Sequence, residues 1–206
     1  MTSKLNTKVL RSAISNTISN SKKIKEEIRV IASEEFRRSK LEMMEEFDNH
    51  PVTQEIKAGP ESNNSSNTLG GYGNLYSFIG FREGQDPTSI VRDYLEQNSN
   101  LKRTVKFKKD GETDGVFYIQ ADIPSVSEIE LITPSEWDTK SWVRGIERGM
   151  SGLGNYIYSM IQAFRDSRSG SAVQAQKKLR GLGYKPVKYI SSIVNNFRNK
   201  VDKAIR

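Results

Sequence analysis

The 206-residue sequence has no cysteine and a single histidine, His50. The first absence excludes disulfides, thiolate zinc sites and cysteine nucleophiles. It suits the cytosol, or a particle that passes between reducing and oxidising surroundings. The second leaves no His cluster for a metal and no His-based relay, since a catalytic imidazole needs a partnered nucleophile and His50 stands beside Pro51 with none nearby. Apolar side chains are also scarce, 35% of the chain against ~45–50% in a benchmark that also counts glycine. No apolar run approaches the ~20 residues that cross a bilayer, so no membrane partner is expected. MTSKLNTKVLRSAISNTISN lacks the continuous apolar core of a secretory signal.

Nucleotide motifs are missing too. In Gly71-Tyr72-Gly73-Asn74-Leu75-Tyr76 a tyrosine stands where the third glycine of a dinucleotide loop belongs, and no P-loop lysine follows. Gly149, Gly152 and Gly154 do not complete that motif either. Glu34-Glu35 and Glu45-Glu46 read as solvated helix positions. Asp122, Glu128 and Glu130 could hold a hard cation, but no EF-hand spacing surrounds them. No catalytic residue, cofactor site or metal site is therefore expected, and a carboxylate-metal enzyme is the third of three readings.

Charge is present and unevenly placed. Residues 140–206 hold 14 Lys/Arg against 3 Asp/Glu, whereas residues 1–139 are net acidic. The basic third points toward nucleic acid or an acidic protein surface. Lys177, Lys178, Arg180, Lys185 and Lys188 are the candidate contacts, with Tyr184 and Tyr189 interleaved as possible stacking rings.

Periodicity predicts an α+β fold: a long N-terminal helix, a small antiparallel sheet with covering helices, and a C-terminal helical extension. Leu10, Ile14, Ile18, Ile24, Ile28, Ile31, Phe36, Met43 and Phe47 recur three or four apart, mostly, giving a helix over 8–48 with a weak point at 19–22. Pro51 ends it. KAGPESNNSSNTLGGYGN, 57–74, reads as a loop too polar to order itself, leading into an apolar stretch. Asp86-Pro87 starts a helix. A hairpin follows across 101–124, its return strand beginning at 116–119, with a third strand at 127–132 and a helix at about 138–150. A basic helix at 172–180 and a last helix opened by Pro186 complete the chain. The organisation is 1–56 (long helix), 57–81 (loop and aromatic arm), 82–160 (α+β core) and 161–206 (basic helical extension).

These segments carry more apolar helix surface than 206 residues can readily cover, so neighbouring subunits are expected to cover it. The 57–81 arm would deliver its side chains into an apolar groove, its own or a neighbour's. The candidate partner contacts are Leu69, Leu75, Phe78, Ile79 and Phe81 on the arm, and Ile190, Ile193 and Phe197 on the last helix. The opposing possibility is a monomer whose terminal helices pack antiparallel on one another.

The order of a long helix, FDNHPVTQEI, a glycine loop ending GNLYSFIGF, a hairpin sheet and SWVRGIERGMSGLGNYIY is similar to virion structural proteins of tailed bacteriophages, of the neck or tail-completion type. The likeness spans about residues 24–160, and 161–206 is an extension that a minimal member lacks. It implies a non-enzymatic subunit of a homo-oligomeric ring joining portal and tail. Its implied neighbours are connector, tail terminator or tail tube proteins and passing DNA, in a virion assembled in the host cytoplasm. The alternative is a basic nucleic-acid-binding module.

Overall fold

The stretch expected as a helix over 8–48 is two helices, divided within the expected weak point. The computed structural model describes residues 7–70, 73–110, 114–135, 138–149, 155–158, 172–175 and 184–204. Helix α1 (Thr7–Asn20) and helix α2 (Lys22–Asn49) meet at Ser21, whose backbone is extended and whose Oγ accepts from the Ile24 N–H at 3.4 Å. The break falls in the Ser/Asn-rich stretch, where side-chain hydrogen bonding competes with the helix backbone.

Pro51 ends α2 as expected, but it also begins α3 (Pro51–Lys57). His50 serves both helices. Its N–H donates to the Phe47 carbonyl at 3.3 Å, and its Nδ1 accepts from the Val52 N–H at 3.2 Å. Proline at the first helical position forfeits only an N–H that would have had no intrahelical partner.

The largest correction lies in the polar loop, which is ordered over its described residues. Glu55 of α3 is 1% exposed, and its carboxylate organises the chain around it. It accepts from the Ser66 N–H at 2.9 Å, the Leu75 N–H at 2.6 Å and the Asn64 side chain at 2.8 Å. Asn64 Oδ1 in turn accepts from the Leu69 N–H at 2.9 Å. A buried carboxylate with three donors replaces the apolar burial that the loop lacks. The apolar stretch that follows is helix α4 (Leu75–Ile79). Asn74 caps it by accepting from the Ser77 N–H at 2.8 Å, and Gly80 ends it at φ 85°.

Helix α5 (Thr88–Asn98) begins just after Asp86-Pro87, with Asp86 Oδ1 accepting from the Thr88 N–H at 2.9 Å. Strands β1 (Asn100–Asp110) and β2 (Asp114–Asp122) form the expected hairpin as a two-stranded antiparallel ribbon. The third strand is absent: Val126–Ile132 is helix α6, started by a reciprocal cap between Ser125 and Glu128. Alternating hydrophobicity over so few residues suits either form, and the capping box decided it.

Strands β3 (Pro134–Ser135) and β4 (Asp138–Ser141) make a minimal turn into helix α7 (Trp142–Arg148). Strands β5 (Asn155–Tyr158) and β6 (Ala172–Ala175) pair antiparallel, so the expected helix at 172–180 is a strand at its start. Its remainder lies outside the described residues, as does Met150 at the end of the helix expected over 138–150. Helix α8 (Ile190–Ala204) begins four residues after Pro186, not at it. Glu147 of α7 fixes its start by accepting from the Tyr189 N–H at 3.1 Å and the Ser191 N–H at 2.7 Å.

The core joins the second half of α2 to α3–α8. Phe36, Met43, Phe47, Ile56, Leu75, Ile79, Leu95, Ile129, Trp142, Ile146 and the α8 stripe all belong to it. Helix α8 lies antiparallel on α2, bringing Phe197 edge-on to Phe36 (5.5 Å between ring centroids) and Tyr189 over Phe47 (6.0 Å). The terminal segments thus cover each other along this half of α2. Among the described residues, α1 and the first turns of α2 add no side chain to that core, and the ribbon meets it through Leu101 and Ala121.

Candidate interaction surface

Most side chains expected to meet partners are covered by the chain itself. Leu69, Leu75, Ile79, Phe81, Ile190, Ile193 and Phe197 are all buried. Phe78 is half-buried and stacks on Tyr184, with centroids 5.8 Å apart and planes 10° apart. The arm has an occupied groove, and the groove is its own. The reason is Glu55: by binding Ser66, Asn64 and the Leu75 N–H, it draws loop and α4 against α3. The stripe on α8 is consumed in the same way by the inward face of α2.

The basic cluster divides. Lys177, Lys178 and Arg180 lie outside the described residues. Lys185 and Lys188 are exposed on the extended stretch before α8. Neither tyrosine beside them is free to stack on a base. Tyr189 is fully buried with its hydroxyl 2.7 Å from Thr53 Oγ1, and Tyr184 donates to the Ile146 carbonyl at 3.0 Å. Burial raises both phenols above their ordinary range, with the nearby Glu55 charge adding to the effect at Tyr184.

The carboxylates considered for a cation have other partners. Asp122 pairs with Lys102, Glu128 caps α6 and Glu130 meets Arg148 at 3.3 Å. Among the described residues, no three metal-ligand side chains come together. His50 packs on the Tyr189 ring at 4.8 Å, and burial lowers its pKa.

The surface left uncovered lies elsewhere. Ile14 and Ile18 are exposed on α1, Val30, Ile31 and Leu41 on α2, Ile90 on α5, Leu131 on α6, and Val116 and Tyr118 on β2. The ribbon has two unlike faces. On one, Val105 faces Ile119 and Phe107 faces Phe117, whose rings lie 4.9 Å apart. On the other, Lys106 faces Tyr118 and Lys108 faces Val116, and all four are exposed. Helix α2 runs beside β1 and α1 beside β2.

A groove of about 600 Å³ runs along β2. Val116, Phe117, Tyr118, Ile119, Ala121 and Ile123 line one wall, and Arg198, Val201 and Asp202 of α8 line the other. Sequence reasoning took LKRTVKFKK only as a strand. The signal it left unused was the period-two lysines, Lys106 and Lys108, which mark a solvent-facing edge ribbon.

The geometry defines a class, an α+β helical body bearing a two-stranded basic ribbon. Comparison with family models, curated protein sequences and solved structures gives no match.

Proposed function

We propose that this chain is a non-catalytic structural subunit of a ring-forming assembly, of the tailed-phage neck or tail-completion type. One observation carries the reading. Once the chain has completed its own core, which the ribbon meets through Leu101 and Ala121, the described residues of α1, of the first turns of α2 and of the ribbon still bear Ile14, Ile18, Val30, Ile31, Val116 and Tyr118 in water. Association would cover these apolar side chains. The surface that meets neighbours is thus the N-terminal helices and the ribbon, in place of the arm and α8. Basic residues of the last third, Lys185 and Lys188 among them, face an acidic protein surface or passing DNA. The phage assignment itself rests on the sequence likeness alone.

The test is the mass of the purified chain as concentration rises, beside its mass when bound to a virion neck. Reversible growth to a closed oligomer supports the reading, and Ile14→Asp with Ile18→Asp should block it while leaving the thermal unfolding midpoint unchanged. A chain that stays monomeric in both settings ends it. If the monomer instead binds duplex DNA with an affinity that falls steeply with salt, the nucleic-acid-binding alternative replaces it.

A further inference from the structure

We infer that the free edge of β2 is the joint between copies: it receives the outer edge of β1 from a second copy of this chain, extending the ribbon from subunit to subunit. This deepens the ring reading and rests on it.

Three observations lead there. First, β1 and β2 are each other's only sheet neighbours among the described residues, so each has one edge without a strand partner there, with α1 near β2 and α2 near β1. Two-stranded ribbons are marginal by themselves, and an open edge of N–H and C=O groups is a template for another strand. Second, the groove beside β2 is lined by consecutive residues of that strand and by none of β1. Consecutive residues alternate between faces, so the groove follows the edge and not a face. It has room for an extended chain, with Ala121, Ile123 and Val201 as apolar walls.

Third, the occupant is indicated by charge and pattern. Strand β2 contains two acidic residues and no basic one, whereas β1 contains five basic residues and one acidic. The two already match through eight paired positions within one chain. A second copy's β1 would set the same pattern against the other side of β2. Its Val105 and Phe107 would continue the apolar row of Phe117 and Ile119, and its lysines would continue the exposed row. Helix α2 meets β1 at the start of the strand. There Leu101, Lys102 and Arg103 face Arg29, Val30, Ser33 and Glu34. From Thr104 to Lys108 its side chains are exposed or half-exposed.

Such a joint is heterologous, one edge meeting a different edge. Heterologous contacts build rings when the rotation closes. Closure also removes every open edge, which a pair of ribbons joined β2 to β2 would not achieve. A nucleic acid would engage Lys106 and Lys108 but would leave the aliphatic walls of the groove unfilled.

The lack of native cysteine makes the test clean. Tyr118→Cys is mixed with Lys106→Cys, and separately with Lys108→Cys, in the full chain under assembling conditions, then oxidised. Disulfide-linked dimers severalfold above those of each variant alone are expected. A second readout is amide hydrogen exchange over residues 116–121, which should slow severalfold on assembly. Cross-linking of Tyr118→Cys with itself overturns the inference in favour of a two-fold β2 joint. Slowing on addition of duplex DNA, and not with chain concentration, overturns it in favour of nucleic acid. Assembly with neither cross-links nor slowed exchange overturns the joint and leaves the ring. No assembly at all removes both.

Discussion

Glu55 and His50 show how single polar residues hold this chain. The Glu55 carboxylate satisfies two backbone N–H groups and one amide from within the protein. In Glu55→Gln an amide NH₂ replaces one carboxylate oxygen, so one former donor loses its acceptor. A loss of about 2–4 kcal/mol is expected from a charge-assisted bond removed and a buried donor stranded. Denaturant unfolding measures it, and limited proteolysis should find residues 62–70 newly cleavable in the variant but resistant in the parent. His50 gives a pH dependence. Its Nδ1 accepts from Val52 N–H, and burial lowers its pKa below the unfolded value of about 6.5. The unfolded chain therefore binds a proton at a pH where the native chain does not, and stability falls as pH falls. The contribution is complete above about pH 6.5 and declines on acidification toward the folded pKa. His50→Asn keeps a capping acceptor without a titrating ring. Its unfolding midpoint should change less than the parent's between about pH 7.5 and pH 5.5.

At the scale of elements, α8 and α1 contrast. Five large apolar residues of α8 (Ile190, Ile193, Val194, Phe197 and Val201) are at most 3% exposed, and each stabilises the fold by about 1.5–3 kcal/mol. Phe197→Ala should cost about 3–5 kcal/mol in denaturant unfolding, because it empties the site against Phe36. A partner-contact residue would instead leave the isolated chain unharmed. Ile31, proposed above as such a residue, is 61% exposed, so Ile31→Ala should change stability by less than about 0.5 kcal/mol. The periodicity of α8 showed that it has an apolar face. It could not show what would cover that face, since a stripe of Ile, Val and Phe has the same spacing against α2 as against another subunit. The loop failed for a different reason: composition measures apolar burial, and its order comes from a carboxylate on a neighbouring helix. Residues 127–132 failed because six residues are too few to separate a strand from a helix, and only the Ser125–Glu128 cap distinguishes them.

For the whole molecule, the division between covered and uncovered surface matters most. The body is closed by α8 on α2 and by α4 under the ordered loop. The ribbon, α1 and the first turns of α2 remain open. If these open elements are the assembly surface, the dissociated body should unfold with the same midpoint whether or not Ile14 and Ile18 are present, and only the assembled parent should unfold higher. Comparing the Ile14→Asp, Ile18→Asp double variant with its parent by calorimetry at low concentration checks that independence. Mass action adds stability to the parent only at concentrations where it associates.

The sequence by itself determined the local events: where helices break or begin near Ser21, His50 and Asp86, where the hairpin runs, and which faces are apolar. Those are set by backbone chemistry and by periods of two and 3.6, which act over a few residues. Tertiary structure alone decided what each apolar face meets. It placed α8 on α2, gave the polar loop a buried carboxylate, and left β2 with one edge that has no strand partner among the described residues. Pairings between residues 36 and 197, or 55 and 75, depend on how distant segments pack, and no local pattern encodes them.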